Sequence, residues 1–242
     1  MIVQTMTPEE VYREIDRDMP NVAAWWGRQR EVLIKRARNM MRFPLTLWYE
    51  HTSRRHNRYL VMSIIMNRKY NTGSITAVLA LQKMERGHAL YFTRLPWQQV
   101  ASKIAIMPHV LDRYAERCNI NLSGIDLIKQ FVYNNAHGET TSDSRLSGRS
   151  VRYKGRDNLC MSVHDGVLLG ETVQDIFVAR TIITYDMASG AQKDVFESNK
   201  DKILSKQEVF DAILSMHKEY EKERITDMLQ DKTLMKLIKA TK

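Results

Sequence analysis

The apolar positions alternate or run continuously through the middle of the chain and recur at helical spacing on either side. Thr7-Pro8-Glu9-Glu10 reads as a helix start. Thr7 can cap, Pro8 suits the first turn, and Glu10 closes a capping box. This short helix is expected to run to Asp18 and stop at Pro20. Asn21 then opens a longer one, with Trp25, Trp26, Val32, Leu33, Ala37, Met40 and Met41 in helical period, ended by Pro44.

The next section is rich in β-branched, aromatic and aliphatic residues separated by turn residues. Leu45–Glu50, Arg58–Met66, Ile75–Leu81 and Ala89–Thr93 predict an antiparallel meander, the third piece suiting either strand or helix. A helix beginning at Pro108 and ending near Asn119 follows. Ser123, with Asp126 three residues later, opens another helix through Ile125, Ile128, Phe131 and Val132. A polar, glycine-containing loop is expected over Ala136 to Gly148.

Strands then return at Ser150–Lys154, Leu159–His164, Val167–Thr172 and Ile176–Tyr185. Asp165-Gly166 predicts a two-residue hairpin turn. The nearly unbroken apolar run from Ile176 predicts a central strand. A second capping box, Ser205 with Glu208, opens one or two amphipathic helices amid many lysines. The fold class is therefore α+β, an antiparallel sheet flanked by helices with helical extensions at both termini. The expected segments are N-terminal helices over 1–43, a β-meander subdomain over 44–100, an α+β domain over 101–190, and amphipathic helices over 200–242.

The chain has 242 residues, 43% of them hydrophobic and 27% charged, which argues against wholesale disorder. Its net charge of +9 favours a polyanionic partner, nucleic acid before an anionic membrane. The two cysteines, Cys118 and Cys160, lie in apolar patterns and form no C-x-x-C pair. They read as buried thiols of a reducing compartment. With no secretory leader and no apolar run long enough to span a bilayer, the expected location is the cytoplasm. No metal-ligand spacing, phosphate-binding loop or dinucleotide fingerprint occurs, and no cofactor is expected.

The chemistry concentrates in Pro108–Arg117. His109, Arg113 and Arg117 are four residues apart each time, so a helix carries them on one side. Leu111, Tyr114, Ala115 and Cys118 form the core-facing stripe opposite. An imidazole beside two guanidiniums can hold a phosphate and move a proton.

The string His109-x-x-x-Arg113-x-x-x-Arg117, followed by a second helix, a loop and strands carrying Arg152-Tyr153-Lys154 and Arg180-Thr181-Ile182-Ile183-Thr184-Tyr185, resembles the barnase/EndoU/colicin/RelE-like superfamily. The likeness is nearest to small RelE/BrnT-like domains and covers roughly residues 104–187. It implies a metal-independent ribonuclease acting as a toxin or defence effector. The RNA 2′-OH attacks the adjacent phosphorus while the protein moves two protons and stabilises phosphate charge. His109 would be the base or acid, and Arg113 and Arg117 the phosphate clamp. His164 is the second proton-transfer candidate, and Thr184 or Tyr185 could offer a hydroxyl.

Arg54, Arg55 and Arg58, beside His51 and His56, could form an electrostatic arm against a nucleic-acid backbone, with Arg152 and Lys154 adding charge. Trp25 and Trp26 could stack on bases or fill the core. Three functions stand side by side: a ribonuclease, a nucleic-acid-binding protein without turnover, and a protein-interaction module. RNA, a cognate inhibitor protein and a second copy joined through the terminal helices are the partners these readings allow.

Overall fold

The computed structural model describes residues 1–65, 75–93, 103–135, 138–141, 158–188 and 190–200. The fold is α+β. Helix α1 (Pro8–Arg38) precedes five strands: β1 (Leu45–Thr52), β2 (Arg58–Ile65), β3 (Ile75–Lys83), β4 (His88–Thr93) and β5 (Lys103–Ile106). Helices α2 (Pro108–Arg117) and α3 (Gly124–Asn134) follow, then β6 (Gly138–Thr141), β7 (Asn158–Val163), β8 (Gly166–Val173) and β9 (Ile176–Ile183). A single 3-10 turn (Tyr185–Met187) leads to helix α4 (Ala191–Lys200). The strand expected over Ser150–Lys154, and with it Arg152 and Lys154, lies outside the described residues, as do the helices expected beyond Lys200.

The nine strands among the described residues form one sheet, ordered β1-β2-β3-β4-β5-β9-β8-β7-β6. Each half is an antiparallel meander. The halves join where β5 pairs in parallel with β9, Lys103 opposite Ile176 and Ile106 opposite Ala179. The ambiguous third piece is a strand, with Val61 opposite Val78 and Leu81 opposite Leu90. β5 is too short for its period to show in the sequence.

Alternation divides the sheet into two faces. On one, α1 packs Val11, Ile15, Val22, Trp26 and Leu33 against Tyr59, Val61, Val78, Ala80, Tyr91 and Val178. On the other, α2 and α3 pack Val110, Leu111, Tyr114, Ile128, Phe131 and Val132 against Leu60, Met62, Leu79, Leu90 and Ile182. A smaller cluster seats Val195 and Phe196 of α4 on Cys160 and Val167.

Four sequence expectations are corrected. Pro20 does not stop the first helix: α1 runs through it, because Met19, Val22 and Trp26 continue the buried stripe across the proline. Ser123 holds the N-cap position of α3, but its side chain makes no cap hydrogen bond. Part of the expected loop after Ala136 is strand β6, a polar edge whose backbone pairs with β7. The turn between β7 and β8 is His164-Asp165, since Val163 pairs directly with Gly166. A Cβ at Gly166 would stand 2.2 Å from the Ile183 carbonyl oxygen, so glycine is needed there for space. The capping box at Thr7 forms, Glu10 N–H to Thr7 Oγ1 and Thr7 N–H to Glu10 Oε2. Asn119 adopts φ 51° and ends α2, with Ile120 N–H donating to Ala115 O at 2.8 Å.

Candidate functional site

Helix α2 starts one residue after β5, with Pro108 in its first turn. The Met107 N–H donates to Ala179 O at 3.2 Å, which seats the start of the helix on β9. Burial of Val110, Leu111 and Tyr114 fixes its rotation. His109 is consequently exposed, and Arg113 and Arg117 are half-buried beside it. The three residues line one side of the helix, yet each guanidinium already has a protein partner. Arg113 Nε donates to His109 Nε2 at 3.3 Å, and its Nη1 meets Glu116 Oε2 at 2.5 Å. Arg117 Nη1 donates to the Ile182 carbonyl of β9.

His164 sits in the β7–β8 turn with its side chain 49% exposed. Its Nδ1 lies 2.7 Å from Asp165 Oδ1. Asp165 Oδ2 accepts from the Tyr114 hydroxyl at 2.6 Å and from Asn135 Nδ2 at 3.2 Å. The Asp165 N–H donates to Asn135 Oδ1 at 3.0 Å, and Asn134 Nδ2 donates to the Tyr114 oxygen at 3.0 Å. Burial pushes the Asp165 carboxyl up, but the bonds from Tyr114, His164 and Asn134 outweigh it and hold the group below its usual value. An anionic Asp165 can only accept, so this contact makes His164 Nδ1 the donor and orients the imidazole. Burial, then the bond to Asp165, pushes the Tyr114 phenol well above its ordinary range.

By sequence pattern Tyr114 is a core position and Asp165 a turn residue. Their joint role depends on α2 crossing β9 toward the β7–β8 turn, which no local pattern encodes. Thr184 is half-buried just after β9, its carbonyl accepting from Met187 N–H at 3.1 Å. Tyr185 donates its hydroxyl to Val163 O at 2.7 Å, and burial pushes its phenol up to about 12.

The two histidines belong to separate sets. Tyr114 lies five residues beyond His109, about 7–8 Å further along the helix axis. Among the described residues no hydrogen bond joins the His109–Arg113 set to the His164–Asp165 set.

The β1–β2 turn does not present its arginines together. Arg55 makes a two-pronged pair with the buried Glu14 of α1, Nε to Oε1 and Nη2 to Oε2, both 2.8 Å. Arg54 is exposed in the turn, and Arg58 opens β2 with Glu50 3.7 Å away. Beside Glu14, the buried Asp18 Oδ2 accepts from Ser53 Oγ at 2.5 Å, Asn57 Nδ2 at 2.8 Å and the Tyr59 hydroxyl at 3.0 Å. Trp26 is core, and Trp25 stacks on His51 with ring centroids 4.1 Å apart. Burial lowers the His51 pKa.

Two clefts, of about 410 and 370 Å³, flank the first half of α1, and Arg13 lines both. Among the described residues no group of three or more His, Cys, Asp or Glu side chains is arranged to hold a metal. No described helix is long and apolar enough to cross a membrane. Cys118 is half-buried and Cys160 is buried. No family model matches the chain, and no curated protein and no solved structure matches it.

Proposed function

We propose that this chain acts on RNA as a metal-independent ribonuclease, with His164 as the proton-transfer group and the outer side of α2 handling phosphate. The observation that carries this reading is the His164–Asp165 pair. A carboxylate on Nδ1, itself held by Tyr114 and Asn135, orients the imidazole of a half-exposed side chain. That group can remove the 2′-OH proton as the oxygen attacks phosphorus, and an acid must then protonate the departing 5′ oxygen. His109 and Arg113 offer a second imidazole and a cation on the same helix that Tyr114 anchors.

A second reading is RNA binding without turnover. It draws support from the separation of His109 from His164, and from the protein partners that Arg113 and Arg117 already hold.

The deciding experiment is cleavage of mixed-sequence single-stranded RNA in EDTA by wild type, His164→Ala, Asp165→Asn and His109→Ala. Cleavage leaving 2′,3′-cyclic phosphate ends, lost in His164→Ala and reduced in Asp165→Asn, is expected. Salt-sensitive binding without cleavage would move the assignment to the second reading. Neither cleavage nor binding would sink both.

A further inference from the structure

We propose that the ends of β2, β3 and β4, with the start of α2, form a track for the phosphate backbone of single-stranded RNA, lined by Arg58, Lys83, Arg86, His88 and His109. The proposal rests on the RNA reading and adds to it a path that the sequence does not indicate.

Sheet register brings these residues together. Arg58 stands opposite Leu81, and Lys83 opposite His88. Directly opposed residues share a face, and Leu81 belongs to the core beneath α2 and α3. Arg58, Lys83 and His88 therefore sit on the face that carries α2. Arg86 is in the β3–β4 turn, one residue before Gly87, where a Cβ would stand 3.9 Å from Pro108 Cβ. The turn thus meets the first residue of α2, and exposed His109 follows with Arg113 3.3 Å behind it. The strip runs from the ends of three strands onto the outer side of α2, toward the turn that holds His164.

The four side chains other than His88 are accessible. Lys83, Arg86 and His109 are exposed, and among the described residues neither Lys83 nor Arg86 has an ion-pair partner. Among the described residues Arg58 pairs with Glu50, at 3.7 Å with both side chains about half-exposed, a pair weak enough to yield to a phosphate. Glu50 is shared with Lys129 at 3.8 Å, and Glu85 is the exposed acid of the β3–β4 turn. His88 Nε2 is buried with no hydrogen-bond partner among the described residues. Burial, then the charges of Arg58 and Lys83, depresses the His88 pKa. Cations spaced along a strip fit a flexible polyanion better than a single small anion.

The test is binding of fluorescently labelled single-stranded 2′-O-methyl RNA, which offers no 2′-OH nucleophile, by the full chain over a salt series. Lys83→Glu/Arg86→Glu is compared with Arg13→Glu/Arg17→Glu, the same charge change at exposed positions on α1, across the sheet. The first pair is expected to weaken binding about tenfold and to flatten the salt dependence, and the second to stay within about twofold of wild type. Equal loss in both pairs would overturn the track in favour of general charge. Tight wild-type binding unaffected by the first pair would overturn the track and leave the RNA reading standing. No binding by wild type would overturn both. Lys83→Gln/Arg86→Gln, with an intermediate loss expected, guards against an effect of the introduced carboxylates alone.

Discussion

The Tyr114 hydroxyl donates to Asp165 across 2.6 Å and so ties the middle of α2 to the turn between β7 and β8. Removing it leaves Asp165 one donor short and Asn134 without that acceptor. Tyr114→Phe is expected to cost about 1–3 kcal/mol in urea denaturation, because the change removes two half-buried hydrogen bonds while keeping the ring. Its RNA cleavage should fall with that of Asp165→Asn, since both loosen the carboxylate on His164 Nδ1. Unchanged stability and cleavage in Tyr114→Phe would show the bond to be incidental.

The Glu14–Arg55 pair makes stability depend on pH. The Arg55 guanidinium holds the Glu14 carboxyl down at about 2, against the desolvation that pushes it up, with help from the Met1 amino group and Asn57. A depressed folded pKa contributes stability fully above the unfolded carboxyl value, near 4. That contribution is lost as the pH falls from there toward 2. Glu14→Gln should therefore lower stability on the order of 2 kcal/mol at neutral pH, with the gap closing between about pH 4 and 2. Thermal melts of both proteins across that range would read it. A gap that stays constant into acid would separate the loss from the ionised carboxylate.

Gly166→Ala should be among the most damaging small substitutions. The added methyl would meet the backbone of Ile183, which is pinned by the β8–β9 ladder and cannot step aside. A loss of about 3 kcal/mol or more is expected, measured by denaturant midpoint. Gly27, where a Cβ meets nothing within 4 Å, is the matched control. Gly27→Ala on the helix should be neutral or slightly stabilising.

Pro20→Ala should raise stability. A proline inside α1 cannot donate to the Asp16 carbonyl, yet the helix continues through it. Restoring the N–H is expected to add about 1–2 kcal/mol, offset in part by the freer unfolded chain. A lower melting temperature in Pro20→Ala would mean that the ring's own fit outweighs the missing bond.

Elements whose period exceeds two turns of pattern were legible in the sequence. The meander strands, the capping box at Thr7 and the rotation of α2 follow from local spacing, because buried stripes and side-chain caps are short-range choices. Pro20 misleads because proline's local penalty is outweighed by Met19, Val22 and Trp26 packing on the sheet. β5 and β6 are four residues each, and only partner strands define them. His109, Arg113 and Arg117 could be placed on one helix side from spacing alone. Their partners Glu116 and the Ile182 carbonyl, and the tie from Asp165 to Tyr114, depend on how α2 lies across β9. The Arg54–Arg58 turn shows the same limit: Arg55 is drawn to a carboxylate 41 residues away in the sequence.

The parallel β5–β9 pairing sets an order on assembly. β4 reaches its inner neighbour early, but the far side of β5 stays open until β9 has been made, after α2, α3 and three further strands. During that interval the first meander exposes a line of unpaired backbone donors and acceptors, the kind of edge that recruits foreign strands. Closure late in synthesis, by contacts distant in the chain, makes this a slow-folding topology whose first half depends on its second for protection from aggregation.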